Sequence, residues 1–142
     1  MTATGQDPQT IQDTIVTEFE DCADWFARYQ RLVSLGDALG EQDLGEEHRL
    51  QGCQSQVWLR ADLEGGSLRL QASSDARITR GIISLLLRVA DGQPPQEVAA
   101  LEFDFLHRIG LRQQLSPARA NGLTAIVRRI REVAREHVNH RS

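Results

Sequence analysis

Midway along the chain the hydrophobic period is two. Val57, Leu59, Ala61 and Leu63 alternate with Gln56, Trp58, Arg60 and Asp62, the signature of a half-buried strand. Glu64-Gly65-Gly66 then supplies a glycine turn, and Leu68, Leu70 and Ala72 resume the alternation. The pattern predicts a β-hairpin. A lone hairpin is at best marginally stable in water, so the flanking segments must cover it.

Those segments change period. On the N-terminal side Ile11, Ile15 and Phe19 share a helical face, with Thr10 and Asp13 as the expected helix start. A second helix is predicted to open at Asp21, with Trp25, Tyr29, Leu32 and Gly36 as its buried stripe. The acidic, glycine-containing stretch 37–48 reads as a loop, and 48–52 as a short strand. After the hairpin, Ser73-Ser74-Asp75 is a cluster of capping residues, with Asp75 expected as a helix cap. Ile78, Ile82, Leu85, Leu86 and Val89 follow at helical spacing, and Asp91-Gly92 and Pro94-Pro95 stop the helix. Short helices are expected over 95–101 and 103–109. Ser116-Pro117 opens a last helix carrying Leu123, Ile126, Val127, Ile130, Val133 and His137 on one stripe. Gly81 and Gly122, inside helices at some cost in propensity, are expected to pack closely on the sheet. The sum is an α+β fold: a small antiparallel sheet of about three strands against N- and C-terminal helices. Residues 1–9 read as a flexible tail and 10–142 as one domain.

Composition narrows the chemistry. The chain has no lysine, its 16 basic residues all being arginine. It can build neither the Schiff base of a pyridoxal-phosphate enzyme nor a Walker A loop. Residues 1–66 hold 13 acids and 4 arginines, whereas 67–142 hold 7 acids and 12 arginines. That split argues against a generic nucleic-acid binder and suits a protein partner with complementary patches, although solvated helix faces explain it almost as well. No apolar run is long enough for a membrane span, no secretory signal opens the chain, and the cytoplasm is the expected compartment. Neither cysteine spacing nor the four histidines suggests a metal site. His137 and His140, three apart, read as solvated side chains.

The thiols differ in setting. Cys53 follows Gly52 and precedes Gln54-Ser55-Gln56, neighbours that are polar or lack a side chain. Structural cysteines sit instead in apolar stripes. The setting points to a bendable turn that can deliver a thiol to another molecule. A reactive thiol needs a nearby cation or helix N-terminus. Arg119 in one helix start, and Arg77 and Arg80 in another, are the candidates. Cys22 lies beside Asp21 and Asp24, whose charges disfavour a thiolate, and reads as structural or incidental. Trp58 faces away from Val57 and Leu59, so either a helix covers it or it belongs to a partner surface.

"DWFARYQRLVSLGDAL" (24–39), "GCQSQVWL" (52–59), "SDARITRGIISLL" (74–86) and "LSPARANGL" (115–123) occur in that order. Together they resemble the SufE family of sulfur-acceptor proteins, with its CsdE branch, over residues 11–135. The resemblance implies a fold shared with the iron–sulfur scaffold IscU. It implies that Cys53 takes persulfide sulfur from a pyridoxal-phosphate-dependent cysteine desulfurase, SufS-like or CsdA-like, stimulates that enzyme, and passes the sulfur to an Fe–S scaffold protein. By the same matching Gly52, Gln54, Ser55, Asp75 and Arg119 are expected to bind the partner. The chain is then expected to need no metal or cofactor of its own, the pyridoxal phosphate belonging to the desulfurase. Two other classes stand against this one. A stand-alone thiol peroxidase or reductase would call for a resolving cysteine or a histidine–cysteine pair, and a non-catalytic adaptor would still stimulate its partner without Cys53.

Overall fold

The hairpin forms where the alternation places it. In the computed structural model, which describes residues 7–40, 42, 44–50 and 56–140, β1 (Val57–Glu64) pairs antiparallel with β2 (Ser67–Ser74). The register sets Val57 opposite Ser74 and Leu63 opposite Leu68, with Gly65 and Gly66 at positive φ in the turn. Val57, Leu59, Leu68, Leu70 and Ala72 are buried on one face.

The third strand expected over 48–52 is reduced to a single bridge between Arg49 and Trp58, with the Leu50 N–H donating to the Val57 carbonyl at 2.8 Å. Residues 51 and 52 lie outside the described residues. The outer edge of β2 is occupied too. The Leu68 N–H donates to the Gln93 carbonyl, the Gly92 N–H to the Leu68 carbonyl, and the Leu70 N–H to an Asp91 carboxylate oxygen, each at 2.8 Å. Both edges are thus covered by short segments rather than left as templates for pairing.

Seven helices surround the hairpin among the described residues: α1 (Pro8–Glu20), α2 (Trp25–Leu39), α3 (Arg77–Ala90), α4 (Pro95–Ala99), α5 (Phe105–Arg108), α6 (Leu111–Gln114) and α7 (Pro117–His140). α3 packs on β2, α2 and α1, while α7 packs on β1 and α4. Phe19, Leu32, Leu86, Phe105 and Ile130 are among the fully buried side chains between them.

Helix starts differ from the sequence reading because aspartates cap earlier or later than the pattern suggests. α1 opens at Pro8, since the Asp7 carboxylate accepts from the Thr10 N–H at 2.8 Å. α2 opens at Trp25 rather than Asp21, with Asp24 accepting from the Ala27 N–H at 2.9 Å. Cys22 therefore lies in the turn between these helices. It is half-buried, with its sulfur 3.9 Å from the Glu18 carbonyl. Of the predicted α2 stripe, Leu32 and Gly36 are buried, but Trp25 is only half-buried and Tyr29 is exposed. The helix continues through residues 37–39, and a 3-10 turn forms at Glu46–His48, within the stretch read as a loop.

Gly81 packs on a helix rather than the sheet. A Cβ there would strike the Leu32 carbonyl, and one at Gly36 would come within 2.5 Å of the Arg77 carbonyl. The two glycines let α2 and α3 cross nearly backbone to backbone. The opposite face of the hairpin is covered by chain following α2. Ser73, which pairs with Trp58, is buried, accepts from the Gln42 N–H and donates to the Gly40 carbonyl. Trp58 itself is half-buried on that face.

Candidate functional site

Residues 51–55, and with them Gly52, Cys53, Gln54 and Ser55, lie outside the described residues. What the structure describes is the frame that holds the two ends of this segment. At the entry, Leu50 and Arg49 are tied to Val57 and Trp58. At the exit, Asp75 grips Gln56 twice. Its carboxylate accepts from the Gln56 N–H at 3.0 Å, and its own N–H donates to the Gln56 carbonyl at 3.3 Å.

Asp75 is therefore not the cap of α3. That helix begins after Ala76, whose N–H is held by the Ser74 hydroxyl at 3.2 Å. The Asp75 carboxylate serves instead a backbone amide 19 positions earlier in the chain, beside the cysteine segment. The strand end that carries it is fixed from below by Arg80, which is buried. This guanidinium donates to the Ser74 carbonyl at 3.0 Å and the Gly36 carbonyl at 3.3 Å.

The second convergence is at Val57. There the start of β1 meets α3, the chain just before α7, and α7 itself in a small apolar groove lined by Val57, Ile78, Ile82, Leu115, Arg119 and Leu123. The groove has a free volume of about 20 Å³, room for one water-sized body. Arg119 is placed in the first turn of α7 because Ser116 caps it, accepting from the Arg119 N–H at 3.3 Å with Pro117 at the first helical position.

Of the three arginines the sequence offered as a charge near the cysteine, two are committed elsewhere. Arg77 is clamped to Asp37 by hydrogen bonds of 2.7 and 3.2 Å, and the Asp37 hydrogen bond raises its pKa above the usual arginine value. Arg80 is locked under the strand end. Among the described residues the exposed Arg119 side chain makes no hydrogen bond or ion pair. An uncommitted cation at the rim of an apolar groove can stabilise an anion arriving there.

The structure thus brings together two of the six sequence candidates, Asp75 and Arg119, at adjacent residues 56 and 57. It also gives two residues roles the sequence did not show. Gln56, read only as a polar neighbour of the cysteine and a strand position, is the amide that Asp75 holds, and Arg80, offered as a cation for the thiol, is a buried tether. The groove is assembled from elements remote in sequence, so no local period could show it. Among the described residues, no three His, Cys, Asp or Glu side chains gather as a metal site requires. No helix among them is long and apolar enough to cross a membrane.

Known proteins resemble this chain over most of its length. Residues 13–134 match the model of the SufE family, described as an Fe–S metabolism associated domain. An uncharacterized SufE-like protein of Rhizobium etli is 39% identical over 131 residues, covering 87% of this chain and 88% of its own. One from Rhizobium meliloti is 35% identical over 133 residues, covering 88% and 95%. The solution structure of a hypothetical protein from Thermus thermophilus shares the fold, with a TM-score of 0.75 at 24% identity, covering 91% of this chain and 96% of that one. A domain match across nearly the whole length, with relatives that share more than a third of their residues, places this chain in the SufE family of Fe–S metabolism.

Proposed function

We propose that the protein is a sulfur acceptor in which Cys53 receives persulfide sulfur from a pyridoxal-phosphate-dependent cysteine desulfurase, stimulates that enzyme, and releases the sulfur to an Fe–S scaffold protein. The observation that carries the reading is the convergence of Asp75 on Gln56 and of Arg119 on Val57, the first two described residues after the cysteine segment.

The transfer is a displacement at sulfur. The Cys53 thiolate attacks the terminal sulfur of the desulfurase persulfide and forms a new S–S bond. The old S–S bond breaks, and its electron pair leaves on the desulfurase cysteine as thiolate. No metal or redox partner is consumed, and the sulfur is cargo. In this mechanism Arg119 favours the attacking thiolate, raising its fraction above the few per cent of an ordinary thiol near neutral pH. The apolar groove matches a terminal sulfur in size and polarity and would shield it from water and competing thiols. The Asp75–Gln56 clamp holds the start of β1 where the chain leaves the cysteine segment, so that the sheet stays intact during transfer.

Radiolabelled cysteine and a desulfurase test the proposal. Label is expected on the wild-type protein and on Cys22→Ser, and to be absent from Cys53→Ser, which should also fail to stimulate the desulfurase. Full stimulation by Cys53→Ser would leave only an adaptor role.

A further inference from the structure

The arginines of this chain fall into two populations. Among the described residues, nine lie within 4.0 Å of a carboxylate. Four of the others, Arg112, Arg128, Arg131 and Arg135, line one groove along α7 together with Thr124 and Val127, and no acidic side chain lines it.

We propose that this groove docks an acidic segment of a protein partner. Its volume is about 250 Å³, enough for carboxylate side chains to enter between the guanidinia. Two of the four are held in place without losing their outward charge. Arg112 donates to the Thr124 hydroxyl at 2.9 Å, and Arg131 donates through Nε to the Leu101 carbonyl at 2.8 Å. Such ordering lowers the entropy cost of engaging a ligand, and guanidinium groups accept carboxylates in bidentate fashion.

The surroundings select a protein segment over a nucleic acid. At Arg135 the groove continues into an apolar one of about 290 Å³ lined by Gln96, Ala99, Ala100 and Val138. Beyond Ala100 lies a third groove bearing Asp7, Glu97, Glu102 and Asp104. A polyphosphate backbone following the arginines would meet first an apolar floor and then like charge. A short peptide with carboxylates at one end and apolar side chains at the other fits both halves and stops before the acids. At 3.6 residues per turn, Thr124, Arg128, Arg131 and Arg135 lie on the side of α7 opposite Arg119, Gly122 and Ile126, which line the groove at Val57. The docked segment leaves that groove uncovered.

The test uses the full chain, with fluorescence anisotropy of a labelled glutamate-rich peptide ending in leucines. Binding is expected at low ionic strength and is expected to weaken as salt is raised. The double variant R128E/R135E, at two exposed positions, should weaken it by at least about tenfold, with an unchanged circular dichroism spectrum. The charge-matched variant R60E/R69E on the hairpin should bind as wild type. Absence of peptide binding, an equal loss in R60E/R69E, or tighter binding of single-stranded DNA of the same charge would each overturn the proposal.

Discussion

Asp75 ties the end of β2 to the start of β1, its carboxylate accepting from the Gln56 N–H at 3.0 Å. In sequence it stands where a helix cap belongs, yet its carboxylate holds the Gln56 amide. Removing it in Asp75→Ala frees that amide and is expected to cost about 1 kcal/mol of stability. The same change should raise the alkylation rate of Cys53 by iodoacetamide several-fold, because one foot of its segment is released. An unchanged rate would separate the clamp from cysteine access. Arg119 makes the opposite prediction. It has no partner to lose among the described residues, so Arg119→Ala should leave stability within about 0.5 kcal/mol. Sulfur uptake by Cys53 should fall about tenfold, the loss of one charge-assisted contact. Single-turnover transfer and thermal unfolding of one variant measure both.

At the scale of elements, legibility followed the range of the interactions. The hairpin, the stripe of α3 and the Ser116-Pro117 start of α7 are set by local spacing and capping, and each forms where its residues predict. The starts of α1 and α2 shift because two nearby capping residues, Asp7 and Thr10 in one and Asp21 and Asp24 in the other, compete for each cap and only geometry picks the winner. The third strand shrinks to a bridge, and Tyr29 turns outward from a stripe that the pattern would bury. Long-range features had no local signature, including Gln12, buried between the Glu102 carbonyl and the Phe105 N–H, and the Gly36–Gly81 crossing. That crossing carries its own test. Gly81→Ala would improve helix propensity by about 1 kcal/mol, yet its methyl meets the Leu32 carbonyl. The outcome expected is a net loss of about 1–3 kcal/mol, read from denaturant unfolding. A stabilised variant would show that the helices can separate freely.

Across the whole molecule, ion pairs join elements distant in sequence. Glu18 of α1 bonds Arg88 of α3 at 2.7 and 2.9 Å and Arg31 of α2 at 2.9 Å. The Arg88 hydrogen bond is the main cause holding the Glu18 carboxyl below its ordinary 4.5. Arg108 does the same for Asp13, and Arg77 for Asp37, below 3.8. Because these folded-state values are depressed, the stability they supply is complete above the ordinary values and drains away as pH falls through the lowered ones. The melting temperature should therefore begin to fall below about pH 4.5. Glu18→Gln should be less stable than wild type by about 1 kcal/mol at neutral pH, and the gap should close in acid. A gap independent of pH would assign Glu18 a packing role instead.

All of these features frame one chemical claim, that sulfur from a partner enzyme comes to rest on Cys53. The most direct measurement is the intact mass of the protein after incubation with a cysteine desulfurase and free cysteine, followed by peptide mapping. A gain of one sulfur, about 32 Da, on the peptide containing Cys53 is the expected product of thiolate displacement. No gain, or a gain confined to the peptide containing Cys22, would contradict the account.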